Sequence, residues 1–174
     1  MIRIVMVLMG VFFMREDTVA LTLSSPAFQP SSSIPSQYTC DGANISAPLQ
    51  WEGAPPKTQS FVIICEDPDV PHSIRPDGMY DHWVLFNIAP TVSGLPENMQ
   101  SLPQGAVQGV NTSKKLGYTG PCPPDRQHRY FFKIFALDTT LNLPEGATKA
   151  EVISAMKEHI LEEAELMGVY DRKR

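Results

Sequence analysis

Phe61-Val62-Ile63-Ile64-Cys65-Glu66-Asp67-Pro68-Asp69 sets five apolar residues in succession against an acidic end stiffened by proline. A continuous apolar run bounded by turn residues predicts a central strand covered on both faces, as in a sandwich core. Val84-Leu85-Phe86 has the same character, and Tyr130-Phe131-Phe132-Lys133-Ile134-Phe135-Ala136-Leu137 predicts a long aromatic strand that Asp138 ends. Leu21 and Leu23 alternate with Thr22 and Ser24, the pattern of a half-buried first strand. It runs into a loop rich in Pro and Ser over 25–36. Sixteen prolines and eleven glycines fall mostly between the apolar runs, so the chain is expected to be mainly β with many loops.

Outward from these strands, 174 residues with 43% hydrophobic content are enough for one substantial core, and a single domain is expected over residues 21–174. The formal net charge of -5 comes without a long basic run, which argues against a nucleic-acid partner. Residues 1–20 read differently. Arg3 precedes an apolar stretch, 4–14, that is too short to span a bilayer and has the proportions of a signal peptide, with Thr18-Val19-Ala20 offering a cleavage site. Export would place the protein in the periplasm or outside the cell. An uncleaved extension, or a start at Met14, would leave it cytoplasmic.

None of the three cysteines falls in a C-x-x-C pair. Cys40 and Cys122 both lie in turn-rich loops and Cys65 inside an apolar run. In an exported chain Cys40–Cys122 is therefore the expected bridge, with Cys65 a buried small hydrophobe; in a reducing cytosol all three are thiols. From 90 to 124 the chain is glycine- and proline-rich loop with room for one short strand over 106–110. Near the C-terminus, Thr148 with Glu151 forms a capping box, and Val152, Met156, Ile160 and Ala164 make an apolar stripe that Gly168 closes. That pattern predicts a helix.

Each of the three apolar strands carries polar residues at one end: Asp67-Pro68-Asp69, His82, and His128-Arg129-Tyr130. Strand ends gather at a sheet's rim, so these groups are expected to meet in a small wet pocket able to hold an anionic or zwitterionic group. In extended chain Asp67 and Asp69 point the same way, and their repulsion calls for compensation by Arg129 and the histidines. Arg129 either clamps an anion or is fixed by one aspartate as an ion pair. Taken singly, Asp-Pro-Asp is also an ordinary turn, and either histidine also fits a core residue bonded to a backbone carbonyl.

Asp67-Pro68-Asp69-Val70-Pro71, His82-Trp83-Val84-Leu85-Phe86-Asn87 and Gly117-Tyr118-Thr119-Gly120-Pro121-Cys122-Pro123-Pro124 leading to His128-Arg129-Tyr130 resemble the phosphatidylethanolamine-binding proteins, nearest the bacterial branch called Raf-kinase-inhibitor-like. Tyr38-Thr39-Cys40-Asp41-Gly42, Pro48-Leu49-Gln50-Trp51 and Glu163-Ala164-Glu165-Leu166-Met167-Gly168-Val169-Tyr170 extend the resemblance over about 21–170. It implies a two-sheet antiparallel β-sandwich with peripheral helices, including one C-terminal helix, and a small anion cavity at one end. Ligand-binding roles carry over to Asp67, Asp69, Pro71, His82, Gly120, Pro121, His128 and Tyr130, with Arg129 supporting the framing loop. The implied guest is a small anion or a phosphoethanolamine head group. The implied partner is a kinase or protease target of inhibition, and no cofactor is implied. Val70, Tyr80 and Arg126 depart from common family residues at their positions. The primary expectation is a noncatalytic binding module. The alternative is a metal-dependent ester or phosphoester hydrolase, which needs at least three of the Asp and His side chains to converge on one ion.

Overall fold

A computed structural model describes residues 19–172, so the expectations for a signal peptide or extension over 1–20 and for a start at Met14 fall almost wholly outside the described residues. Among the described residues, eight strands form two antiparallel sheets. β1 (Thr22–Ser24), β2 (Leu49–Glu52) and β5 (Gly94–Leu95) make a small sheet in the order β1-β2-β5. β3 (Ser60–Asp67), β4 (Tyr80–Ile88), β6 (Val107–Gln108), β7 (His128–Leu137) and β8 (Ile160–Tyr170) make a larger one in the order β6-β4-β3-β7-β8. This is the expected sandwich.

The apolar runs lack alternation because both faces of the large sheet are covered. Phe61, Ile63 and Cys65 of β3 point with Trp83, Leu85, Tyr130, Phe132 and Ile134 toward Leu23, Leu49 and Trp51 of the small sheet. Val62 and Ile64 point the other way, with Val84, Phe86 and Leu137, against Val152 and Met156 of the helix α1 (Lys149–Met156). Ion pairs fasten that helix to the sheet: Lys149 Nζ meets Glu66 Oε2 at 2.9 Å and also contacts Asp81. The capping box at Thr148 is present, its hydroxyl accepting from the Glu151 amide.

The helix ends at Met156, and this corrects the C-terminal prediction. Ile160 and Ala164 belong to β8, which pairs with β7 along its length, from Leu137↔Ile160 to His128↔Tyr170. Leu166, Gly168 and Tyr170 alternate inward along β8, and the exposed edge of β7 needs a partner for its N–H and C=O groups. That tertiary demand overrides the helical propensity of Glu162-Glu163-Ala164-Glu165. Gly168 is not a helix stop. The 28–34 loop lies against β8, with Ile34 N donating to Val169 O at 2.8 Å. A Cβ on Gly168 would stand 2.7 Å from Ile34 Cγ1 and 2.8 Å from Phe28. Gly168→Ala is therefore expected to cost ~1–3 kcal/mol through overpacking; a urea midpoint equal to wild type would refute the close approach.

Candidate functional site

Antiparallel pairing explains how the polar ends meet. β3 runs opposite to both β4 and β7, so the end of β3 lies between the starts of its two neighbours. Asp67 closes β3, Tyr80, Asp81 and His82 open β4, and His128 opens β7, all at one rim. His82 also occupies an irregular position. Cys65 pairs with Trp83 but Glu66 pairs with Asp81, so His82 is the extra residue of a bulge in β4. A bulge re-aims the side chain it carries, and His82 packs edge-on to Tyr130 with ring centroids 5.3 Å apart.

A cavity of about 220 Å³ opens at this rim, lined by Asp67, Val70, Ile74, Tyr80, His82, Thr119, Gly120, Cys122 and Pro124. It is smaller than the ~300–1,000 Å³ of drug-sized sites. A larger open groove of about 650 Å³ follows β2 and β5 past Gln50 and Glu52, but no histidine lines it. The predicted residues Asp67, His82 and Gly120 line the smaller space.

Of the predicted residues, Asp67, His82 and Gly120 reach the cavity wall. Asp67 is almost wholly buried. Its Oδ1 accepts from the Asp69 amide at 2.8 Å, which folds the Asp-Pro-Asp corner, and its Oδ2 meets His128 Nδ1 at 2.7 Å. His82 Nδ1 lies 2.6 Å from the Thr119 carbonyl, which fixes the Nδ1–H tautomer and leaves Nε2 uncommitted. Burial pushes this imidazole below its ordinary proton affinity, against the smaller opposing pulls of the Thr119 carbonyl and of Asp67 and Asp81.

Other predicted residues stand behind or beside the wall. His128 is wholly buried and stacks on Tyr130 at 6.5 Å. The Tyr130 hydroxyl is buried beside Asp67 without a hydrogen bond of acceptable geometry, and burial raises its proton affinity far above that of an ordinary phenol. Asp69 and Arg129 hold each other. Arg129 Nε and Nη2 donate to Oδ2 and Oδ1 at 2.9 and 2.8 Å, and the Arg129 amide adds a third bond at 2.9 Å. The guanidinium brings the Asp69 carboxyl down from 3.8 to about 2. Of the two readings of Arg129, the geometry gives the ion pair. Pro71 and Pro121 also lie off the wall; their carbonyls accept from Ile74 and Arg75, and from Cys40, and shape the framing loops.

Those loops are tied at several points. Cys40 and Cys122 are joined in a disulfide with Cα atoms 5.4 Å apart, and Cys65 is a buried free cysteine. Gly120 N donates to Asn44 Oδ1 at 2.7 Å, and Tyr118 Oη donates to Tyr38 O at 2.9 Å. Two of the three departures, Val70 and Tyr80, line the cavity, Tyr80 with its hydroxyl bonded to Ser113. Arg126 is exposed on the adjoining loop, where its charge helps to lower the carboxyls of Asp69 and Asp125. Sequence reasoning passed over Asp125, whose Oδ1 lies 2.9 Å from His128 Nε2. Among the described residues no three His, Cys, Asp or Glu side chains converge in the manner of a metal site. No helix among them is long and apolar enough to cross a membrane.

The two antiparallel sheets and the small cavity at one rim define the class of fold. The sequence profile of phosphatidylethanolamine-binding proteins matches residues 24–171, and the chain belongs to that family. A UPF0098 protein of Methanothermobacter thermautotrophicus is 50% identical over 155 residues, covering 87% of this chain and 99% of that protein. One from Chlamydia pneumoniae is 49% identical over 152 residues, with the same coverage of 87% and 99%. Among solved structures, the phosphatidylethanolamine-binding protein homolog CT736 of Chlamydia trachomatis matches with a TM-score of 0.85 at 47% identity, over 88% of this chain and 99% of that one. E. coli YbcL, described as a new member of the mammalian PEBP family, matches at 0.81 and 31% identity, over 89% of this chain and 100% of its own.

Proposed function

We propose that this chain is a noncatalytic binding module whose cavity holds a small anionic or zwitterionic head group of the phosphoethanolamine kind. The observation that carries this reading is the presence of unlike polar groups in one cavity lining, the Asp67 carboxylate and the uncommitted Nε2 of His82, together with the apolar Val70, Ile74 and Pro124. A carboxylate meets an ammonium, and an imidazole protonated on Nε2 meets a phosphate oxygen. The described relative CT736 and the family profile support the same class of guest. Occupancy joins the 70–79 and 117–124 loops through a shared guest, the route by which it would adjust contact with a protein partner. The Cys40–Cys122 disulfide supports an oxidising compartment, periplasmic or extracellular.

Calorimetry with phosphoethanolamine tests the reading. His82→Asn keeps an N–H for the Thr119 carbonyl and deletes the second nitrogen, so it is expected to weaken binding about tenfold, the scale of one charge-assisted hydrogen bond. An unchanged affinity removes the cavity from the account. The pH dependence follows from burial. His82 titrates below its ordinary 6.5, so the ring is neutral near neutrality and an anion must draw a proton onto Nε2. Affinity for sulfate, which does not itself titrate there, is expected to rise as pH falls through and below that value; a flat profile contradicts the coupling.

A further inference from the structure

We propose that Asp125 is a positioning residue of the cavity: its carboxylate, reaching in from the surface, completes a hydrogen-bonded chain Asp125–His128–Asp67 that sets the charge a guest meets on the wall. The proposal rests on reading the cavity as a head-group site. It deepens that reading by naming a residue outside the wall that decides between anionic and cationic guests.

The geometry is a buried ring between two carboxylates. His128 Nδ1 lies 2.7 Å from Asp67 Oδ2, and Nε2 lies 2.9 Å from Asp125 Oδ1. The ring has no exposed surface, the Asp67 side chain is 4% exposed, and the Asp125 side chain is 46% exposed. Two hydrogen bonds need two protons, and a neutral imidazole supplies one. Between two carboxylates, the chain is satisfied at both links only when it holds one proton more. With that proton, the Asp67 end is neutralised by the ring, and the remaining negative charge rests on Asp125, in water. Charge is far cheaper there than on the buried wall.

The other groups around His128 leave this role to Asp125. From β3 and the turn after it come Asp67, and Asp69, which Arg129 holds. From β4 comes His82, whose Nδ1 is committed to Thr119. On β7 the ring faces Tyr130, and on β8 its register partner is Tyr170, whose hydroxyl donates to Asp41 at 2.9 Å. Arg126 and Arg129 flank it in sequence and are exposed. None of these supplies a second acceptor to the His128 ring.

Asp125→Asn separates position from charge. The amide can donate to Nε2, so the ring keeps its place, but the chain no longer needs the additional proton and Asp67 faces the cavity as an uncompensated anion. The variant is expected to bind sulfate about tenfold more weakly while binding ethanolamine at least as well as wild type, at an unchanged melting temperature. Equal weakening of both guests would mark Asp125 as a merely structural support and overturn the proposal. A second measurement needs no guest: nitrogen NMR of the His128 ring should show protons on both nitrogens in wild type and one bare nitrogen in Asp125→Asn. Identical ring shifts in the two proteins overturn the chain directly. If wild type binds neither sulfate nor ethanolamine, the head-group reading fails and the ring spectra still decide whether Asp125 governs the proton.

Discussion

Replacing Cys40 and Cys122 together by serine is expected to lower stability by ~4 kcal/mol in the oxidised protein. The bridge spans 82 residues of sequence, so its main effect is to deny the unfolded chain a large loop's worth of freedom. Cys122 is itself on the cavity wall, and the Cys40 amide donates to Pro121 O at 3.0 Å, so the same two residues pin the 117–124 loop against the 36–44 loop. Denaturant unfolding with and without reductant measures the effect. The third cysteine, Cys65, is buried and free, so reduction of wild type should reproduce the stability of the double serine variant. A reductant-insensitive midpoint would mean that Asn44 and Tyr118 hold the two loops together without help. Head-group affinity should fall with the bridge, since a looser wall must be ordered when the guest enters.

The strands were readable because their chemistry is local. Five apolar residues at 61–65 and an aromatic run at 130–137 have no comfortable place except between two covered layers, and both faces are covered. Strand ends follow from strand positions, which is why Asp67, His82 and His128 arrive at one rim. What escaped depends on partners distant in sequence. Val152, Met156, Ile160 and Ala164 keep helical spacing across a true helix end at Met156 and into a strand, and only the open edge of β7 decides between the two states. The extra residue in β4 that turns His82 is a matter of register between two strands, invisible in either one alone. Asp125 lies in a loop where an acidic residue is unremarkable, and its meaning comes from the ring it faces. Asp69 and Arg129 lie at the rim and satisfy each other, while Asp67 lines the cavity.

Breaking the buried link between Asp67 and His128 should be the most costly change at the site. His128→Ala strips Asp67 Oδ2 of its donor and leaves a void where the ring was, so a loss of ~3–5 kcal/mol is expected. Asp67→Ala removes the charge together with its need for a partner, and the ring left behind still has Asp125 on its other nitrogen. The double variant is therefore expected to be less destabilised than the sum of the two single ones, by ~2 kcal/mol, because the second substitution removes the group that the first had orphaned. Urea unfolding of the four proteins closes the cycle. Simple additivity would mean that the carboxylate and the ring contribute independently, and the 2.7 Å contact between them would then have no energetic meaning. A coupling of the expected sign would explain why a wall carboxylate so deeply buried can remain available to a guest: the ring behind it supplies the donor that water would otherwise provide.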